Sequence, residues 1–201
     1  MSGGVDYSGL LAAHVGGAAL RRLVCYAGLL ERWSERHNLV CFSSREELVE
    51  RHILDSLAAA PLLEGSGRLL DIGSGAGLPG VPLLAVRPLW SGVLLEPRQK
   101  RWAFLRTAVR ELQLAADVAC SRYQDLGDCL PFDVITIRAV GDHKALLGWA
   151  RGRLAADGEV VIWTTVDGVA ALEAVAGWRV LSSRLSGLDC GRLARLQPCF
   201  T

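Results

Sequence analysis

The sequence predicts an α/β fold: a mostly parallel sheet with helices on both faces, an antiparallel C-terminal strand and an N-terminal helical extension. Three observations predict it. From Arg68 onward, short apolar runs alternate with amphipathic helical stretches, the pattern of a parallel sheet covered on both sides. One of those runs ends in an acid and then in alternate glycines, Leu69-Leu70-Asp71-Ile72-Gly73-Ser74-Gly75-Ala76-Gly77, which reads as a buried strand turning sharply into a helix. Ahead of Arg68 the periodicity is helical.

Residues 8–38 read as helical, with Leu20, Leu23, Val24, Ala27, Leu30 and Trp33 on one apolar stripe. Ser44-Arg45-Glu46-Glu47 matches a capping box, so a second helix starts at Ser44 and runs toward Pro61. His52 and Asp55 lie three apart on it, hence on one face, as a hydrogen-bonded pair or as two unrelated surface groups. Glu64-Gly65-Ser66-Gly67 is a turn. Strands are expected near 68–72, 92–96, 117–120, 132–138 and 158–164, and helices near 79–87, 98–113, 142–155 and 168–175, with Pro79 opening the first of these. Residues 178–185 and 192–199, joined through Gly187 and Gly191, read as a terminal antiparallel pair. Residues 1–64 form the helical extension and 65–201 the α/β core of a single compact domain.

The chain has 201 residues, 51% hydrophobic and 21% charged, with a formal net charge of +1. These values exclude a disordered chain and give little support to nucleic-acid binding by charge alone. No apolar run is long enough to span a bilayer and no basic-then-apolar leader is present, so the expected location is cytoplasmic and no membrane contact is expected. The six cysteines (Cys25, Cys41, Cys120, Cys129, Cys190, Cys199) are scattered without a C-x-x-C pair, and read as reduced and structural, with no metal site. Nearly all the basic residues are arginine, which suits bidentate phosphate contacts and equally follows from base composition.

The glycine turn is the candidate ligand site. A dinucleotide fingerprint needs its third glycine three residues after the second, and Leu78 stands there, with the glycine one residue early. The spacing after Asp71-Ile72 instead resembles the first motif of Rossmann-like S-adenosylmethionine methyltransferases. Glu96 ends the next strand, 19 residues after Gly77, where a carboxylate can accept from both hydroxyls of an adenosyl ribose. Ligands bind beyond the carboxyl ends of the strands in open α/β sheets. That rule brings Asp71–Gly77, Glu96–Arg98, Ser121–Asp125, Arg138 and the turn after Trp163 to one rim. In the third of these loops Gln124 and backbone groups can pair with an adenine edge and Tyr123 can pack on the ring, Ser121 serving also as a helix cap. An arginine at a strand tip, Arg138, should face the ligand cleft or a carboxylate.

Several further segments make the likeness specific. Trp33-x-x-x-x-Asn38-Leu39, Arg51-His52-Ile53-Leu54-Asp55-Ser56-Leu57, Asp71 through Gly80-Val81-Pro82, Lys100-Arg101-x-x-Phe104-Leu105, Ser121-Arg122 and Arg138-Ala139 occur in the order found in the bacterial 16S ribosomal RNA guanine-N7 methyltransferase G family, also called glucose-inhibited division protein B. The chain resembles that family over roughly residues 30–165 and departs from it at Ser34-Glu35, Gln124 and Trp163-Thr164. The resemblance implies a Rossmann-like fold, S-adenosylmethionine as methyl donor, S-adenosylhomocysteine as product, and a guanine of 16S rRNA, in free RNA or the 30S particle, as target, with no obligate protein partner. Together with the motif reading it implies a donor site of Asp71, Gly73, Gly75, Leu78, Glu96, Pro97, Arg98, Tyr123, Gln124 and Arg138. Arg122, Arg36, His52 and Trp163 are candidate substrate contacts. Guanine N7 carries a lone pair and no proton, so no general acid or base is expected.

Trp33, Trp163 and Tyr123 are possible base-stacking groups. Arg21, Arg22, Arg32, Arg36, Arg45 and Arg51 form either a phosphate-binding surface or a solvated face interleaved with glutamates. Three other functions remain: a methyltransferase for a small molecule or protein, a non-catalytic adenosyl-binding module, and a nicotinamide dehydrogenase, against which Leu78 counts.

Overall fold

A computed structural model describes residues 6–139, 141–185 and 191–199. Two helices, α1 (Tyr7–Ala12) and α2 (Gly17–His37), replace the single helix expected over 8–38. The break falls at Gly16-Gly17, and Gly17 has φ +58°, a backbone angle costly for a residue with a Cβ. Asn38, at φ 47°, closes α2 in the left-handed region.

Ser44 caps α3 (Arg45–Glu47), accepting the Glu47 N–H at 3.2 Å. The Glu47 carboxylate reaches back one residue further than a capping box predicts, to the Ser43 N–H and hydroxyl. The helix then widens into a π-helical segment, Leu48–Leu54, before α4 (Asp55–Leu57) and a 3₁₀ turn, Ala60–Leu62. The π segment changes the register that three-residue spacing assumes. His52 and Asp55 accordingly make no bond to each other: His52 Nε2 meets the Cys41 carbonyl at 3.2 Å, and Asp55 turns toward Arg138.

The core then alternates as the sequence predicts: β1 (Gly67–Ile72), α5 (Gly80–Val86), β2 (Trp90–Leu95), α6 (Gln99–Leu112), β3 (Ala116–Ala119), β4 (Phe132–Arg138), α7 (His143–Arg151), β5 (Leu154–Thr165), α8 (Val166–Glu173), β6 (Trp178–Arg184) and β7 (Gly191–Pro198). Strand order is β3-β2-β1-β4-β5-β7-β6. All neighbours are parallel except β7, which lies antiparallel between β5 and β6. Pro79 caps α5 instead of opening it. The helix expected over 142–155 ends at Arg151, because Leu154 already pairs with Phe132; the β4–β5 register then shifts before Val134 meets Glu159. Gly187 and Cys190 lie outside the described residues.

Two apolar layers flank the sheet. Leu146, Leu147 and Ala150 of α7 and Val169 and Leu172 of α8 cover one face. On the other, Leu23, Tyr26 and Leu30 of α2 and Leu48 and Ile53 of the π segment share one buried cluster with Val81 and Leu84 of α5 and Phe104 and Leu105 of α6. Full burial of each such side chain is worth about 1.5–3 kcal/mol. The extension is thereby fixed over one side of the ligand rim. Cys25, Cys41, Cys120, Cys129 and Cys199 are exposed free thiols, so the structural role expected for these cysteines does not hold.

Candidate active site

The chain reverses out of β1 through three left-handed glycines, Gly73 (φ 70°), Gly75 (φ 58°) and Gly77 (φ 90°). A Cβ on Gly77 would stand 2.7 Å from Val81 Cγ2 and 3.1 Å from the Tyr26 hydroxyl. Only glycine fits so tight an approach. The Ser74 N–H donates to the Leu95 carbonyl at 2.8 Å, joining the turn to the end of β2. Glu96 completes that junction: Oε2 accepts the Gly75 N–H at 3.0 Å and Oε1 the Arg98 N–H at 2.8 Å.

Asp71 lies beneath this turn and is 1% exposed. Its Oδ1 accepts from the Thr136 hydroxyl at 2.8 Å and its Oδ2 from the Gly80 N–H at 3.3 Å. Burial raises its pKa to about 6, with those hydrogen bonds pulling the other way. Asp71 thus supports the turn from beneath and is not among the residues that line the cavity beyond it. On the turn's other side the buried Tyr26 hydroxyl donates to the Ala76 carbonyl at 2.7 Å.

Beyond the turn opens a cavity of about 490 Å³. The structure brings Gly73, Glu96, Pro97, Arg98, Arg122, Tyr123 and Gln124 together on its wall. Sequence reasoning missed Arg101, which also lines it and whose Nη1 would lie 3.4 Å from a Cβ on Gly75. Tyr123 stands edge-on to Trp149, with ring centroids 5.2 Å apart. It heads a 3₁₀ turn, Tyr123–Asp125, without the Ser121 cap expected for it. Gly75 and Leu78 lie off the cavity. The first donates behind it to Glu96, and the second packs on the extension-side core.

Arg138 leaves β4 in the opposite direction. Its Nη2 is 2.8 Å from Asp55 Oδ2 and 3.2 Å from the Arg51 carbonyl, and its Nη1 is 3.3 Å from the Ser56 hydroxyl. Of the two partners expected for it, it has the carboxylate. Its guanidinium braces the extension and does not line this cavity. Trp163 makes the neighbouring tie, its Nε1 donating to the Asp55 carbonyl at 3.0 Å. At 7% exposure it has no free face on which a base could stack, which corrects its assignment as a substrate contact. Burial raises the Asp55 pKa while Arg138 lowers it; burial and Arg138 both lower that of His52. Arg36 lies elsewhere, in a surface recess with Trp33 and His37, and the Trp33 ring packs edge-on to Phe104 at 5.5 Å. Arg122, Arg36, His52 and Trp163 therefore do not converge on one surface patch.

Among the described residues no three His, Cys, Asp or Glu side chains are grouped to hold a metal, and no helix is long and apolar enough to cross a membrane.

This sheet order, with the glycine turn at the end of β1 and an acid at the end of β2, is the architecture of a Rossmann-like methyltransferase. Two solved methyltransferase structures align with this fold. A precorrin-6y C5,15-methyltransferase from Geobacter metallireducens aligns with a TM-score of 0.60 at 14% identity, over 71% of this chain and 87% of its own. The glycopeptide N-methyltransferase MtfA, solved in complex with sinefungin, aligns at 0.64 and 12%, over 74% and 87%. The sequence narrows the class. The GidB family model, rRNA small subunit methyltransferase G, matches residues 19–168. A ribosomal RNA small subunit methyltransferase G from Laribacter hongkongensis is 38% identical over 85% of this chain and 84% of its own length. One from Xanthomonas axonopodis pv. citri is 37% identical over 86% and 82%. The chain belongs to the GidB family of methyltransferases, and its methyl donor is S-adenosylmethionine.

Proposed function

We propose that this chain transfers a methyl group from S-adenosylmethionine to N7 of a guanine in 16S rRNA, acting in the cytoplasm on the small ribosomal subunit or its RNA. The observation that carries this reading is the locked junction of Gly75, Glu96 and Arg98 beside a cavity lined by Tyr123 and Gln124, in a chain of this family. The residues fit the donor. Gly73, at positive φ, keeps the cavity wall free of a Cβ where a nucleoside must approach the backbone. Glu96 holds its carboxylate rigid against two amides and keeps lone pairs for ribose hydroxyls. Gln124 offers both an acceptor and a donor to an adenine edge.

Held by Glu96 and Gln124, the donor would supply an electrophilic sulfonium methyl to the N7 lone pair, its C–S electron pair passing to sulfur and the positive charge to the guanine ring. No proton moves, so the protein's work is alignment and exclusion of water, and orientation alone accounts for roughly 7–11 kcal/mol in favourable cases. Arg98, Arg101 and Arg122 line the cavity, and their guanidinium groups would meet phosphates of the incoming RNA.

The test is incubation with methyl-labelled donor and unmethylated small-subunit particles, followed by mapping of the modified nucleotide. Label at N7 of one guanine is the expected result. Donor binding with no label in RNA, particles or protein would leave only an adenosyl-binding module; label in a protein or a small molecule would move the substrate. Glu96→Ala should weaken donor binding at least tenfold, since it orphans two amides and removes the ribose acceptor.

A further inference from the structure

A second cavity, of about 510 Å³, is lined mostly by residues of the helical extension, Asp55, the partner of Arg138, among them. Its walls include the apolar Leu54, Leu57 and Leu185 and three titratable groups, His14, Glu50 and Asp55. His14 and Glu50 are exposed at its mouth, whereas the Asp55 side chain is only 2% exposed. One oxygen of that carboxylate, Oδ2, is fixed by Arg138. The other, Oδ1, is buried and has no hydrogen-bond partner. A buried acceptor without a partner costs about 1–3 kcal/mol, so its persistence needs a reason.

Its place in the fold supplies one. Asp55 is bonded to Arg138 at the end of β4 and to Trp163 near the end of β5, and Leu185 directly follows β6. Ala139, the residue after Arg138, lines the donor cavity. The end of β4 thus joins the residue that holds Asp55 to the wall of the donor cavity. A cavity of this size, with apolar walls and one fixed polar group, suits a flat heteroaromatic ring. Guanine presents two adjacent donors, N1–H and N2–H, on its Watson–Crick edge, and a base taken out of its stack is read on that edge by hydrogen bonds. Binding by this edge leaves N7, on the opposite side of the ring, free for the donor. A carboxylate beside the ring also favours the cationic product.

We infer that this second cavity receives the target guanine and that Asp55, held by Arg138, is the specificity residue that reads its N1–H and N2–H edge. The inference rests on the function proposed above. The fit is selective, because adenine has a bare acceptor at N1 and would set lone pair against carboxylate. Asparagine at position 55 would set its own N–H against one of the two guanine donors.

The experiment compares small-subunit particles carrying guanosine or inosine at the methylated position, inosine keeping N7 and N1–H but lacking the 2-amino group. For the wild type, kcat/KM should fall about tenfold or more with inosine, the worth of one hydrogen bond to a charged acceptor. For Asp55→Asn, guanosine transfer should fall and the guanosine-to-inosine ratio should shrink to within about threefold. Should both activities fall equally with the wild-type ratio kept, Asp55 only braces Arg138 and the inference is overturned. Leu57→Trp, which fills the cavity from its apolar wall, decides the matter if Asp55→Asn does not fold. It should raise KM for the particles at least tenfold with donor affinity unchanged, and an unchanged KM overturns the inference. A wild type that methylates guanosine and inosine equally well also overturns it; a wild type that methylates no RNA at all defeats the proposed function instead.

Discussion

The two halves of the sheet's carboxyl rim are held in different ways. Over β1 and β2 the side chains bond to nearby backbone: Glu96 to Gly75 and Arg98, and Asp71 to Gly80. Over β4 and β5 they bond to the extension: Arg138 to Asp55, Ser56 and Arg51, and Trp163 to Asp55. The first half is a cradle whose one described side-chain hydrogen bond from the extension is that of Tyr26 to Ala76. The second exists only when the helical extension is docked, so the two halves rest on separable parts of the molecule.

Arg138→Met should break the second half with the largest effect. It leaves the Asp55 carboxylate buried without its cation, which costs about 3–5 kcal/mol of unfolding free energy by urea denaturation, and adding Asp55→Asn should restore part of it. If stability held and donor affinity fell instead, Arg138 would belong with the cradle and the distinction would collapse.

Asp71 sharpens the first half through pH. Its folded pKa, about 6, stands above the ordinary 3.8. A raised carboxylate gives stability that is full below pH 4 and is lost as pH rises through 6. The wild type should therefore lose on the order of 3 kcal/mol relative to Asp71→Asn between pH 4 and pH 7. Equal pH dependence in the two proteins would show that Asp71 does not titrate in this range.

Tyr26→Phe has the smallest expected effect and tests whether the cradle is wholly self-contained. Loss of the bond to the Ala76 carbonyl should cost about 1 kcal/mol and raise the donor dissociation constant a few-fold. Calorimetric titration with S-adenosylhomocysteine would show it; no change in affinity would mean that the glycine turn holds its shape without α2.

The same difference explains what could be read from the sequence. The cradle was legible because its contacts are short in the chain: Gly75 and Glu96 are 21 residues apart, and Glu96 and Arg98 two. Glycines at fixed spacing also leave a mark that strand periodicity does not. Arg138 was recognisable as needing a carboxylate, but not as finding it on the extension. Its bond to Ser56 spans 82 residues, and that of Trp163 to Asp55 spans 108. No local pattern encodes such pairings. The π segment hid the rest, since a reading at 3.6 residues per turn sets His52 beside Asp55 and overlooks where each one turns. Tyr26 was passed over for a similar reason, its partner Ala76 lying 50 residues away in a turn read only for its glycines.

The placement of β7 between β5 and β6 has a consequence for how the protein is made. During translation β6 emerges before β7, yet its ladder is with β7 alone. Until β7 arrives, β5 keeps an open edge and β6 has nothing to pair with, so the sheet closes from within by insertion. A nascent chain halted before residue 191 would carry both unpaired edges, the kind of template on which chains associate with one another.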